Sequence, residues 1–156
     1  MAMKLLNFTS PELAFADLAL SRRDDVVRLF SERLVEQGGA TDATRLADEI
    51  LAREEVETTG IGGGIAIPHA RSEAVVGTHV IVASLAEPIS WNAVDGEPVD
   101  LLFLLAGNRE LPGQQLRVLA RISKLVKIPA LLSDLRAAET PAQVIKAIQA
   151  TEARHF

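Results

Sequence analysis

The chain has 156 residues, 48% of them hydrophobic and 24% charged, which fits one globular domain burying roughly two-thirds of its unfolded-chain surface. With no cysteine, disulfides, thiolate zinc sites and cysteine nucleophiles are excluded, and a net charge of -5 with Lys and Arg scattered along the chain argues against a nucleic-acid partner. No apolar run approaches the roughly 20 residues that cross a bilayer and MAMKLLNFTS has no signal-peptide architecture, so a soluble, cytoplasmic protein is expected, with proteins or small molecules as partners.

In chain order, residues 21–37 place Val26, Val27, Phe30, Leu34 and Val35 on one helical face, with Ser21 and Asp24 spaced as an N-cap pair and Gly38-Gly39 as a stop. A second helix is expected over 41–54, where Ala43, Leu46, Ala47 and Ile50 recur at helical spacing, Glu49 falls off that face and Arg53 stands at the end. THVIVASL at 78–85 reads as a β-branched strand and PVDLLFLLAG at 98–107 as a strand buried on both faces, the two lying centrally in one sheet. The helical pattern returns over 113–126, then over 130–138 and 141–149, the last opened by Thr140 as N-cap and Pro141 at the first position. Helices on both sides of a few apolar strands indicate an α/β layered domain spanning 1–156.

Between the second helix and the strands stands GIGGGIAIPHAR, residues 60–71. A P-loop needs Gly-Lys-Ser/Thr feeding a helix, and this stretch ends in Pro68-His69 without a lysine. A dinucleotide fingerprint needs G-x-G-x-x-G, which the alternating Gly60, Gly62 and Gly64 do not make. His79 and His155 are distant in sequence and no carboxylate set surrounds His69, so neither metal nor cofactor is expected. What survives is a nucleophilic or carrier histidine, since an imidazole near neutral pH attacks a phosphoryl group without a separate base. Phosphoryl transfer asks for positioning and positive charge at the equatorial oxygens. Gly62, Gly63 and Gly64 are therefore expected to cradle phosphate with bare N–H groups, Pro68 to restrict the backbone, and an arginine to clamp the oxygens. The bland alternative makes His69 a turn residue.

The same run resembles the active-site segment of fructose-mannitol-type enzyme IIA proteins of the bacterial phosphotransferase system, and within them the nitrogen-regulatory branch. The resemblance continues through AREEVETTG (52–60), PISWNAVDGEPVDLLFLLA (88–106) and LLSDLRAAETPAQV (131–144). It implies a mixed sheet with helices on both faces, and His69 phosphorylated at Nε2 by a histidine phosphocarrier protein. It also implies Arg53 near the phosphorylated ring, and either a IIB component or a regulated transporter or kinase downstream. The chain departs from the family twice. Gln115, in QLRVL, stands where the family carries a second histidine, and its amide donates a hydrogen bond without holding positive charge. Gly63 stands where relatives often have Asn.

Around the segment, Trp91 reads as a core plug or lid. Arg71 is a phosphate contact or a solvated loop residue. Arg109 and Glu110 fall at the carboxyl end of the buried strand, where open α/β sheets carry site loops. His79 reads as a surface or edge residue and His155 as tail. Three functions stay open: a sugar-uptake phosphotransferase passing phosphate to a IIB component, a regulatory phosphoprotein, and an inactive relative. The sequence shows no fused IIB or IIC segment and leans to the second, while the intact glycine run and Arg53 oppose the third.

Overall fold

An apolar run reads as continuous when both faces of its strand are covered, and a two-sided sheet explains the residues at 99–106. In the computed structural model, which describes residues 3–156, the chain runs β1 (Ala14–Leu18), α1 (Arg23–Glu36), α2 (Ala43–Val56), β2 (Gly60–Gly62), β3 (Ile65–Ala66), β4 (His69–Ser72), β5 (Thr78–Ile89), β6 (Val99–Asn108), α3 (Pro112–Leu125), α4 (Pro129–Ala137) and α5 (Pro141–His155), with two short 3-10 turns before β1. The sheet order is β1-β5-β6-β3-β2, and β4 follows β3 along the same side of β6. β5 and β6 are antiparallel, whereas β1 on β5 and β3 and β4 on β6 are parallel, so the sheet is mixed.

The two faces of β5 and β6 feed separate cores with period two. Ile81, Ala83, Leu102 and Leu104 pack with Val26, Phe30, Leu46 and Ile50 of α1 and α2. Val80, Val82, Leu101, Phe103 and Leu105 pack with Val118, Ile122, Leu131, Leu135, Val144 and Ile148 of α3 to α5. Each fully buried Leu, Ile or Phe contributes about 1.5–3 kcal/mol, so both helical layers are held to the sheet by transfer of their inner faces out of water. Trp91 is fully buried in the α1–α2 core and is a plug, not a lid.

Several boundaries differ from the sequence reading. Arg22, not Ser21, precedes α1, and no side-chain cap is made; Asp24 and Asp25 instead complement the dipole in the first turn. Gly38 does end the helix, in the left-handed region at φ 78°, with its N–H and that of Gly39 bonded to the carbonyls of Val35 and Leu34. Asp42 caps α2 by accepting the Arg45 N–H, and the helix runs past Arg53 to Val56. β5 extends through a bulge to Ile89, and α5 continues to His155, which is helical. His79 is half-buried on the central strand β5, its Nε2 paired with the Val76 carbonyl, and so is neither on an edge strand nor freely exposed.

The glycines make a hairpin. Gly63 and Gly64, between β2 and β3, have φ of 67° and 80°, the sign a two-residue type I′ turn demands at both central positions. Asn also tolerates that region, so glycine at 63 in place of the relatives' asparagine preserves the turn. Gly63 donates its N–H to Asp95 at 3.1 Å, and its carbonyl accepts Arg136 Nη2 at 2.7 Å; the same guanidinium pairs with Asp100. The N–H groups of Glu97 and Gly63 hold the Asp95 carboxyl below the usual carboxylate range. A Cβ at Gly64 would lie 2.7 Å from Asp100 Oδ1 and 2.8 Å from Arg136 Nη2. Gly64→Ala is therefore expected to destabilise the fold by about 1–2 kcal/mol from the backbone alone, read as a lower urea midpoint at unchanged slope, while any phosphoryl transfer at His69 keeps its rate.

Candidate functional site

β4 begins just after Pro68, whose carbonyl accepts the Leu105 N–H, and runs parallel to β6 with His69 opposite Leu105 and Ser72 opposite Asn108. Alternation along the strand buries Ala70 and Ser72 and turns His69 and Arg71 to the other side. Beyond β3 no strand pairs the outer side of β4 among the described residues, and α2 from one layer and α3 from the other meet at this open edge. Between them lies a cavity of about 880 Å³ lined by Glu49, Ala52 and Arg53 of α2, His69 and Arg71 of β4, Arg109, and Pro112, Gln115, Leu116 and Leu119 of α3.

Within it the His69 ring is oriented. Nδ1 lies 2.8 Å from the carbonyl oxygen of Ile67. A carbonyl only accepts, so Nδ1 carries the hydrogen of the neutral ring and Nε2 keeps its lone pair. Arg53, in the last turn of α2, donates Nη1 to the Glu57 carbonyl at 2.9 Å, which keeps the guanidinium at the helix end. Gln115, in the first turn of α3, is 5% exposed; its Nε2 donates to the Ala70 carbonyl at 3.4 Å and its buried Oε1 has no partner. That amide lies on Gly107, where any side chain would collide with Oε1.

The structure thus brings His69, Arg53 and Gln115 to one cavity, together with Arg71 and Arg109. It does not bring Gly62, Gly63 and Gly64, and the expected cradle is corrected here. The Gly64 carbonyl is bonded to the N–H groups of Asp100 and Leu101, four residues along β6 from the partner of His69, a separation of about 13 Å at 3.3 Å per residue. The Gly63 N–H is already taken by Asp95. Glu110 does not line the cavity, its N–H being turned to Asn108 Oδ1. Glu49 was missed by the sequence reading. It accepts Arg45 at 2.7 Å and Ser72 Oγ at 3.2 Å, with Arg109 at 3.8 Å. Its spacing of i, i+4 from Arg53 put both on one face of α2, a signal set aside because that face is not the apolar one. Among the described residues no group of His and carboxylates is arranged to hold a metal.

Residues 7–151 match the family described as Phosphoenolpyruvate-dependent sugar phosphotransferase system, EIIA 2. The chain belongs to this family. EIIA proteins are phosphotransferases that work through a phosphohistidine intermediate. One relative, a nitrogen regulatory protein of Klebsiella oxytoca, is 31% identical over 151 residues, which cover 94% of this chain and 91% of that one. The 2-O-alpha-mannosyl-D-glycerate-specific EIIABC component of Escherichia coli is 27% identical over 148 residues, 94% of this chain but only 22% of the relative, so the chain spans about a fifth of that transport component. Nitrogen regulatory protein IIA-Ntr from Neisseria meningitidis superposes with a TM-score of 0.83 at 22% identity, covering 91% of this chain and 97% of that one. The expected EIIA fold, a mixed sheet with helices on both faces, is borne out by that likeness.

Proposed function

We propose that this EIIA protein accepts a phosphoryl group on Nε2 of His69 from a histidine phosphocarrier protein and that its output is regulatory. The observation that carries the acceptor is the Nδ1 hydrogen bond to the Ile67 carbonyl, which leaves Nε2 as the nucleophile in a cavity with three arginines. In the transfer, the N–P bond of the donor phosphohistidine breaks and the Nε2–P bond of His69 forms. The hydrogen stays on Nδ1, donated to the Ile67 carbonyl, so no base is needed. Arg53, Arg71, Arg109 and the N-terminal amides of α3 supply positive charge for the equatorial oxygens.

Among the described residues Arg109 is tethered only by the long contact to Glu49, and a largely exposed pair of this kind is worth about 0–1 kcal/mol. A hydrogen bond to a charged group is worth about 1.5–3 kcal/mol, so a phosphoryl group on His69 draws Arg109 away from Glu49. The regulatory output is favoured because the match extends over 91% of a nitrogen regulatory relative. The likeness to the mannosylglycerate component supports transfer to a IIB partner as the second reading.

Incubation with phosphoenolpyruvate, enzyme I and a phosphocarrier protein is expected to add one acid-labile phosphoryl group. Mass spectrometry finding none would remove the proposal, and rapid onward transfer to a IIB protein would select the uptake reading. Gln115 sharpens the expectation. A protonated histidine in its place supplies a charge-assisted bond where the amide, its Nε2 donating to the Ala70 carbonyl, supplies at most a neutral one, a difference of about tenfold in rate. Gln115→His is expected to accept phosphate about tenfold faster in single-turnover measurement. An equal or slower rate would show that position 115 serves another purpose.

A further inference from the structure

Beside Arg53 stands a carboxylate that the phosphoryl chemistry leaves unused. Glu54, in the last turn of α2, is 4% exposed, and no Lys, Arg or His pairs with it among the described residues. A buried carboxylate without a cation is costly unless its oxygens are hydrogen-bonded. Both are, and both to one residue: Oε2 accepts the Thr59 N–H at 2.6 Å and Oε1 accepts the Thr59 hydroxyl. The chain of bonds goes on. The Thr59 carbonyl accepts the Ile67 N–H at 3.0 Å, and the Ile67 carbonyl accepts Nδ1–H of His69 at 2.8 Å. Glu54, Thr59, Ile67 and the His69 ring thus form one series of contacts, bonded through the backbone of Thr59 and of Ile67, from the end of α2 to the Nδ1 edge of the ring.

We propose that Glu54 is a positioning residue for the acceptor: by locking Thr59 it anchors the N–H of Ile67 and with it the backbone of that residue, whose carbonyl fixes His69 as the Nδ1–H tautomer with Nε2 free in the cavity. This rests on the reading of His69 as phosphoacceptor. The charged groups facing the ring are Glu49 and Arg53 from α2, Arg71 from β4 and Arg109 beyond β6, with neutral Gln115 from α3. None of them bonds to Nδ1, so the Ile67 carbonyl is the sole protein acceptor holding the tautomer. Thr59 is itself buried, at 6% exposure, and has no other side-chain anchor.

The test is ¹⁵N NMR of the His69 ring in the full chain, in wild type, Glu54→Ala, Glu54→Gln and Thr59→Val, with single-turnover acceptance measured on the same samples. Wild type is expected to show the Nδ1–H tautomer. Glu54→Ala is expected to populate the Nε2–H tautomer and to accept phosphate about fivefold more slowly, the factor of one neutral hydrogen bond of about 1 kcal/mol. Glu54→Gln, whose amide oxygen still takes the Thr59 N–H, is expected to restore most of both. Thr59→Val keeps the side-chain shape and removes the hydroxyl, and carries the same expectation where Glu54→Ala does not fold. A role confined to stability moves the unfolding midpoint and leaves the ring alone, so folded variants that retain the wild-type tautomer and rate overturn the proposal. The tautomer is read without any phosphoryl donor: a wild-type protein that takes no phosphate overturns the functional reading by itself, whatever the ring spectra show.

Discussion

His69→Ala is expected to lose phosphoryl acceptance completely, while His79→Ala and His155→Ala retain it. Of the three histidines only His69 presents a ring nitrogen to the arginine-lined cavity; His79 spends Nε2 on the Val76 carbonyl, and His155 lies at the end of α5 against Phe156. The alanine variant gives up one hydrogen bond, to Ile67, worth about 1 kcal/mol. In a chain of this length that lowers the melting temperature by about 2–4 °C, so the folded protein remains available for assay. Acid-labile phosphate found by mass spectrometry on the His69→Ala protein would move the acceptor elsewhere.

Arg53→Ala is expected to slow transfer by about a hundredfold, and Arg53→Lys by about tenfold. Removing one donor aimed at developing oxyanion charge generally costs about 10²–10³ in rate, and lysine keeps the charge but loses the planar fork that takes two oxygens at once. Arg53 is half-buried and, among the described residues, its guanidinium is bonded only to the Glu57 carbonyl, so the stability loss stays small and the two effects separate. Single-turnover transfer from phosphorylated carrier, beside an unfolding curve for each variant, measures both. Wild-type rates in the two variants would take Arg53 out of the site and leave Arg71 and Arg109 as the clamp.

The elements with a long period were legible. The apolar run at 99–106, the β-branched run at 78–85 and the five helical faces each extend over enough residues to declare themselves. β2, β3 and β4 hold three, two and four residues, too few to show a period, and β1 is defined by its parallel register with β5, a contact made across about 68 positions of sequence. Cap residues were misplaced at α1 because Arg22 takes that position with no side-chain bond, leaving no polar signature to read. At the site, Pro-His after a glycine run pointed to His69 by chemistry, and Arg53 and Gln115 followed from resemblance. Glycine density misled: backbone freedom serves a phosphate cradle and a type I′ turn equally well. The bonds of Gly63 to Asp95 and Arg136, and of Gly64 to β6 four residues from the partner of His69, separate the two. Glu49 needed the fold, since its significance arises when Ser72 and Arg109 arrive from β4 and beyond β6.

Trp91 has a consequence for how this molecule is observed. It is the one tryptophan in a chain without tyrosine, and it is packed in the layer of α1 and α2. It is 1% exposed, so its emission reports the dryness and packing of that layer. The layer of α3 to α5, which carries Gln115, holds neither tryptophan nor tyrosine. A fluorescence titration with a partner or a denaturant therefore watches the α1–α2 layer, and loosening confined to α3 passes unseen unless a second chromophore is placed there.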